Sequence, residues 1–167
     1  MDQLYAILIN YWPFWVGLAV FAAVILLLRM YAAPAPMPYY KRPSLATKSE
    51  LRFFKALRKA VLDDWEIFAM VRIADLIRVE KGNAQGRKWL NKILAKHIDF
   101  VLCDPNSLEP VLAIEVDDAS HQRPDRIERD AFVNDAMDAA GLPLLRVPVE
   151  STYNAKEVKD LIDDFLG

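Results

Sequence analysis

The sequence predicts an α/β sandwich, a mixed sheet flanked by helices, carried behind one N-terminal transmembrane helix. Three observations predict it. No charged residue occurs from Gln3 to Leu28. Two short apolar runs rich in β-branched residues, Ile98 to Cys103 and Val111 to Val116, flank Asp104-Pro105-Asn106 and Pro110, which is how adjacent antiparallel strands are written. A helical stretch, an apolar strand and a second helical stretch follow in that order to the C-terminus. At 167 residues and 54% hydrophobic composition the chain is one domain plus an apolar appendage, and its single cysteine, Cys103, excludes a disulfide framework and a cysteine-based zinc site.

Residues 1–30 read as a membrane anchor. Tyr11 to Leu28 is long enough for a hydrocarbon core that needs about 20 apolar residues. Trp12, Trp15 and Tyr31 fall where interfacial aromatic residues lie, and Arg29, Lys41 and Arg42 follow the span while only Asp2 precedes it. This asymmetry places the chain in the cytoplasmic (inner) membrane as a single-pass protein with its C-terminal domain in the cytoplasm. A cleaved signal peptide is the alternative, with Ala32-Ala33-Pro34-Ala35 as its small residues, but signal peptides begin with a basic segment and a shorter apolar core. Residues 31–44, with Pro34, Pro36, Pro38 and Pro43, form a linker; proline-rich chain extends at about 3.1 Å per residue and reaches about 45 Å over this length.

Residues 45–167 form the domain. Thr47-Lys48-Ser49-Glu50 fits a capping box, and Phe53, Phe54, Leu57, Ala60 and Val61 recur at helical spacing behind it. Glu66 to Val71 reads as a strand, Ile73 to Val79 as a short helix or turn, Gly82 to Gly86 as a loop, and Arg87 to Ala95 as a helix. In the hairpin, alternation sets Asp99, Val101 and Cys103 on one face of the first strand, and Val111, Ala113, Glu115 and Asp117 on one face of the second. Asp118 to His121 is a polar turn. Asp125 to Ala140 is a helix with Phe132, Ala136, Ala139 and Ala140 as its apolar stripe, ended by Gly141. Pro143 to Val147 is a strand reached by a right-handed crossover and parallel to Val111–Val116. Asn154 to Glu157 caps a last helix with Val158, Leu161, Ile162, Phe165 and Leu166 at i, i+3, i+4, i+7 and i+8.

The acids on the central strands carry the chemistry. A hairpin symmetric about Ser107 sets Asp99 opposite Glu115, and such pairs have Cβ atoms about 4.5–5.5 Å apart. Two ionised carboxylates there raise each other's pKa unless something positive lies between them. A divalent cation resolves the conflict, and hard oxygen ligands suit Mg²⁺ or Mn²⁺. The other reading has the acids at sheet ends, solvated and paired with Lys or Arg. Lys96 is turned away from Asp99 by strict alternation, and His97, on the face of Asp99, reads as a strand-edge histidine. Lys48 to Lys96 holds twelve Lys or Arg against six Asp or Glu, and His97 to Gly167 holds six against sixteen. The basic half suits a phosphate backbone, or is a solvated helix face.

The series Asp99, Glu115-Val116-Asp117, His121 and Asp130 resembles the PD-(D/E)xK phosphodiesterase superfamily, in the branch similar to very-short-patch repair endonucleases. Within it the chain looks closest to an uncharacterised bacterial domain of unknown function, over roughly Leu45 to Val149. The resemblance implies a restriction-endonuclease-like fold and metal-dependent hydrolysis of DNA. Asp99, Glu115 and the Val116 carbonyl then hold the metal, Asp117 and His121 position water or phosphate, and Asp130 belongs to the site in a role the motif leaves open. It also offers Glu50 as an acid beside the metal, although the capping box explains Glu50 without a ligand. The superfamily's lysine position is occupied by Asp117, so the group that activates water is unassigned. A catalytically inactive nuclease fold, tethering nucleic acid or protein at the membrane, is the competing expectation.

Overall fold

The computed structural model describes residues 5, 9–32, 35–62, 64–117 and 124–167, with the backbone alone for 124–127. It divides into two compact units, Met1–Lys41 and Arg42–Gly167. In the first, helix α1 (Trp12–Tyr31) has Pro13 in its opening turn, where the missing N–H leaves no bond unmade, and none of its residues is buried. Twenty residues rise about 30 Å, the thickness of a hydrocarbon core. It is the one helix among the described residues long and apolar enough to cross a membrane.

The second unit opens with α2 (Lys48–Val61). Thr47 Oγ1 accepts from the Glu50 N–H at 3.3 Å and the Thr47 N–H donates to Glu50 Oε2 at 2.9 Å, so both halves of the capping box form. Then come β1 (Glu66–Arg72), α3 (Ile73–Leu76), α4 (Gly86–Leu94), β2 (His97–Cys103), β3 (Pro110–Asp117), α5 (Pro124–Ala139), β4 (Leu144–Pro148) and α6 (Ala155–Leu166). The sheet runs β1-β2-β3-β4, with β1/β2 and β2/β3 antiparallel and β3/β4 parallel. The acid-bearing strands are therefore the two central ones.

Alternation along β2, β3 and β4 builds two cores. Phe100, Leu102, Leu112, Ile114, Leu145 and Val147 pack with Phe53, Leu57 and Val61 of α2 and Val158 and Ile162 of α6. The odd-numbered residues of β2 and β3, Val101, Cys103 and Ala113, pack with Ile73, Ile93, Val133, Met137 and Leu142. Asp99, Glu115 and Asp117 continue this second series. On α5 the stripe is shifted from the expected one: Val133 and Met137 are buried while Ala139 and Ala140 are exposed. The larger side chains remove more apolar area from water, and their i, i+4 spacing supports that face equally well.

The β2–β3 turn sets the register. Asp104 Oδ1 accepts from the Asn106 N–H, the Ser107 N–H and Ser107 Oγ at 2.7–2.9 Å, and Leu108 adopts φ +57°. The pairs Phe100↔Ile114, Val101↔Ala113 and Leu102↔Leu112 are centred on Ser107, and an irregularity at Leu102/Cys103 absorbs the rest of the loop. The ladder pairs end at Phe100↔Ile114, one position short of Asp99 and Glu115.

Candidate functional site

Strand ends and one helix converge on a cleft of about 250 Å³ lined by Asp99, Glu115, Asp130, Lys96, His97 and Arg129, with Met70 and Val133 among its apolar walls. β2 supplies Asp99 and His97, β3 supplies Glu115, and α5 supplies Arg129 and Asp130. Met70, across from Asp99 in the β1/β2 register, has φ +57°, so β1 leaves the regular strand conformation at the cleft. Lys96 corrects the expectation from alternation: it lies one residue before β2, in the turn after α4, where alternation does not yet operate. Its backbone is fixed there by bonds from Lys96 N to the Ile93 carbonyl and from Ile73 N to the Lys96 carbonyl.

Asp99 Oδ2 accepts from the Val116 N–H at 2.9 Å. Burial pushes its carboxyl up, opposed by that N–H, while the charges of Glu50 and Asp117 push further in the same direction. Glu50 thus spends a carboxylate oxygen on its helix cap while its charge still reaches the site. Glu115, whose side chain is 15% exposed, is pushed up to about 7. Burial is the main cause; Arg146 opposes it, and Asp117, Asp99 and Asp130 add to it.

Arg146 is the residue that sequence reasoning missed. The parallel register sets it beside Glu115. Its Nη1 lies 2.7 Å from Glu115 Oε2 and also pairs with Asp117 Oδ2, and Nε donates to Asn134 Oδ1 at 3.0 Å. Burial lowers the Arg146 pKa, but the Asp117 hydrogen bond and the two carboxylate charges outweigh it and the net shift is upward. One guanidinium therefore serves two carboxylates, with Asp99 and Asp130 close enough to add negative charge. Burial outweighs this pairing, with the neighbouring carboxylates adding to it, so Glu115 stays above an ordinary value. Nη2 is buried with no hydrogen-bond partner among the described residues. The signal was a lone charge inside the apolar run Leu144-Leu145-Arg146-Val147, on the face that alternation assigns to Glu115 and Asp117.

Lys96 has its pKa lowered, first by burial and then by Arg129, against the pull of Asp130 and Glu115. The cleft thus gathers cations and carboxylates in similar number. Among the described residues no three His, Cys, Asp or Glu side chains form a metal-ligand cluster. Of the expected site residues, Asp99, Glu115 and Asp130 meet in the cleft, Asp117 is tied to it through Arg146, and Val116 contributes its N–H to Asp99. Glu50 is engaged in its cap, and His121, with the turn Asp118 to His121, lies outside the described residues.

Residues 42–165 match a family model described as a protein of unknown function, DUF2726. The chain belongs to the DUF2726 family. No curated protein and no solved structure matches it. The match spans the whole second unit apart from its last two residues, so in this DUF2726 domain the cleft lies wholly within the family's own sequence, and α1 lies outside it.

Proposed function

We propose that the chain is a membrane-anchored nuclease of the PD-(D/E)xK superfamily, with a restriction-endonuclease-like fold, that uses Mg²⁺ or Mn²⁺ to hydrolyse phosphodiester bonds in DNA. The observation that carries this reading is the convergence of Asp99 and Glu115, from the two central strands, on one cleft that also holds Lys96 and Arg129, with both carboxyls pushed upward. Buried acids that resist ionisation in a cleft are the arrangement a cation site needs, because the bound charge offsets their desolvation. The donor set fits a hard cation: oxygen ligands from Asp99 and Glu115, the Val116 carbonyl by resemblance, and room for waters. When bound, such a cation polarises a phosphoryl oxygen and acidifies an attacking water.

The chain's own groups do the rest. Lys96 and Arg129 meet the charge of a phosphate, Arg146 holds Glu115 and Asp117 in register, and Asp130 keeps Arg129 at the cleft. His121 acts on the water or the phosphate. The test is cleavage of plasmid, linear duplex and single-stranded DNA by the full chain in detergent with Mg²⁺ or Mn²⁺. Activity lost in Asp99→Asn and Glu115→Gln supports the reading, and a folded wild-type chain that cuts none of these substrates sinks it.

A second reading rests on Arg146, whose one guanidinium already pairs with Glu115 and Asp117, and on aspartate standing at the motif's lysine position. A catalytically silent nuclease fold, tethered at the membrane, fits both features. Calorimetry with Mn²⁺ separates the two, since binding abolished by Asp99→Asn favours the enzyme and no binding at millimolar metal favours the tether.

A further inference from the structure

Beside the acid cleft lies a larger pocket of about 660 Å³ between α4, α5 and the chain that follows α3. Its size falls within the roughly 300–1,000 Å³ typical of small-ligand sites. Two aromatic rings mark it: Trp89 of α4 and Phe132 of α5 are parallel within 7°, their centroids 6.4 Å apart, and Trp89 is 40% exposed. Lys92 Nζ lies 4.8 Å from both ring centroids, and Lys96 Nζ, which belongs to the acid cleft, lies 5.8 Å from the Phe132 ring. Phe132 is therefore the boundary between the two cavities.

We propose that the Trp89–Phe132 pocket binds one unpaired nucleobase of a nucleic-acid strand whose phosphate lies at Lys96 and Arg129. This rests on the nuclease reading for the strand's phosphate and goes beyond it in assigning a base site. Three features favour a base over an apolar protein side chain. Both rings line the cavity, and bases stack on aromatic faces whatever their sequence. Lys92 lines the pocket while Lys96, 5.8 Å from the Phe132 ring, and Arg129 line the acid cleft, so a ligand with an apolar plane at one end and an anion at the other finds a partner for each end. A single nucleotide has that shape, and one aromatic side chain separates the two subsites. The Lys92 ammonium over the rings is a weakly held cation on a flexible stem, free to move onto a flanking phosphate as a base enters.

The rim adds polar groups. Asn83 Oδ1 already accepts from the Gln85 N–H at 2.9 Å, which leaves its NH₂ to donate, and Asp135 offers only acceptors. One donor beside one acceptor meets the edge of any of the four bases, so stacking rather than sequence selects the occupant. A base can enter only from single-stranded DNA or by leaving its stack.

The experiment uses the full chain in detergent and short single-stranded oligonucleotides in Ca²⁺, followed by fluorescence anisotropy, with an abasic site moved through each position in turn. One abasic position should weaken binding by about tenfold or more, the scale of one lost base–aromatic stack. Trp89→Ala should weaken the intact oligonucleotide similarly and erase the abasic penalty, as a double-mutant cycle requires of two parts of one contact. Because the abasic scan is run on the wild-type chain, a variant that fails to fold leaves the test standing. Equal affinity at every abasic position overturns the base site, as does self-association that depends on Trp89, which would make a second copy the occupant. Cleavage without an abasic penalty overturns the pocket alone. An abasic penalty without cleavage in Mg²⁺ supports the pocket and overturns the nuclease reading.

Discussion

At the scale of residues, the site is governed by how much negative charge one arginine offsets. Arg146→Met leaves Glu115 and Asp117 with no guanidinium, and removing one partner of a buried pair costs about 3–5 kcal/mol. With Arg146 and Asp117 partly exposed the expected loss at pH 8 is nearer 2 kcal/mol. It should shrink at pH 5, where Glu115 is protonated and needs no partner, and denaturant unfolding at the two pH values reads the difference directly. The wild-type chain has its own pH dependence of definite sign. Glu115 holds its proton more tightly when folded, about 7 against an ordinary 4.5, so the native state binds the extra proton between those values. Stability from this group is complete below 4.5, falls as pH rises, and is lost above about 7. The window corresponds to about 3 kcal/mol. Asp99, shifted in the same direction, adds to the slope. A cation held between the two carboxylates cancels the penalty only when they are ionised. Mn²⁺ should therefore raise Tm more at pH 7.5 than at pH 5, and an equal or absent rise at both would remove the metal site.

Elements show a sharper division between what sequence patterns specify and what they leave open. Glu50 separates cap from catalyst. Glu50→Gln keeps the reciprocal capping bond, so stability should hold within about 0.5 kcal/mol, while Glu50→Ala should cost about 1 kcal/mol. If nuclease activity survives Glu50→Gln within tenfold, the carboxylate is a cap whose charge merely reaches Asp99; a larger drop returns it to the site. Gly141, at φ +69° after α5, should lose about 1 kcal/mol on replacement by alanine, read by thermal unfolding. The capping box, the Asp104 turn and the Asn154 cap were all legible, because each is fixed by residues within a few positions of one another. Arg146 and Lys96 were not. Their roles depend on which strand lies beside which and on where a strand begins, and neither is local. The stripe of α5 failed for a related reason: Val133 and Met137 compete with Ala136 and Ala139 on one helix, and only the sheet beneath decides the rotation.

For the whole molecule, α1 is long and apolar enough to cross a membrane, and the proposed anchor raises the question of the side on which the second unit lies. That unit has two cores of its own and its boundary falls at Lys41/Arg42. A chain beginning at Arg42 should fold with an unfolding transition like that of the full protein, measured by circular dichroism. The orientation we propose rests on charge. Arg29, Lys41 and Arg42 flank the C-terminal end of α1, against Asp2 at the other end, and basic residues in short flanks are retained on the cytoplasmic side. A reporter active only in the cytoplasm, fused after Gly167, should therefore be active, and one active only outside should be silent. Reversing the bias, with Arg29, Lys41 and Arg42 replaced by glutamine and three lysines placed before Tyr11, should move activity toward the outside reporter. If the wild-type fusion is active only outside, the orientation is wrong and the proposed substrate changes with it. A nuclease facing outward meets incoming or extracellular DNA, whereas one facing inward, held within about 45 Å of the bilayer by its proline-rich linker, is confined to DNA at the membrane surface.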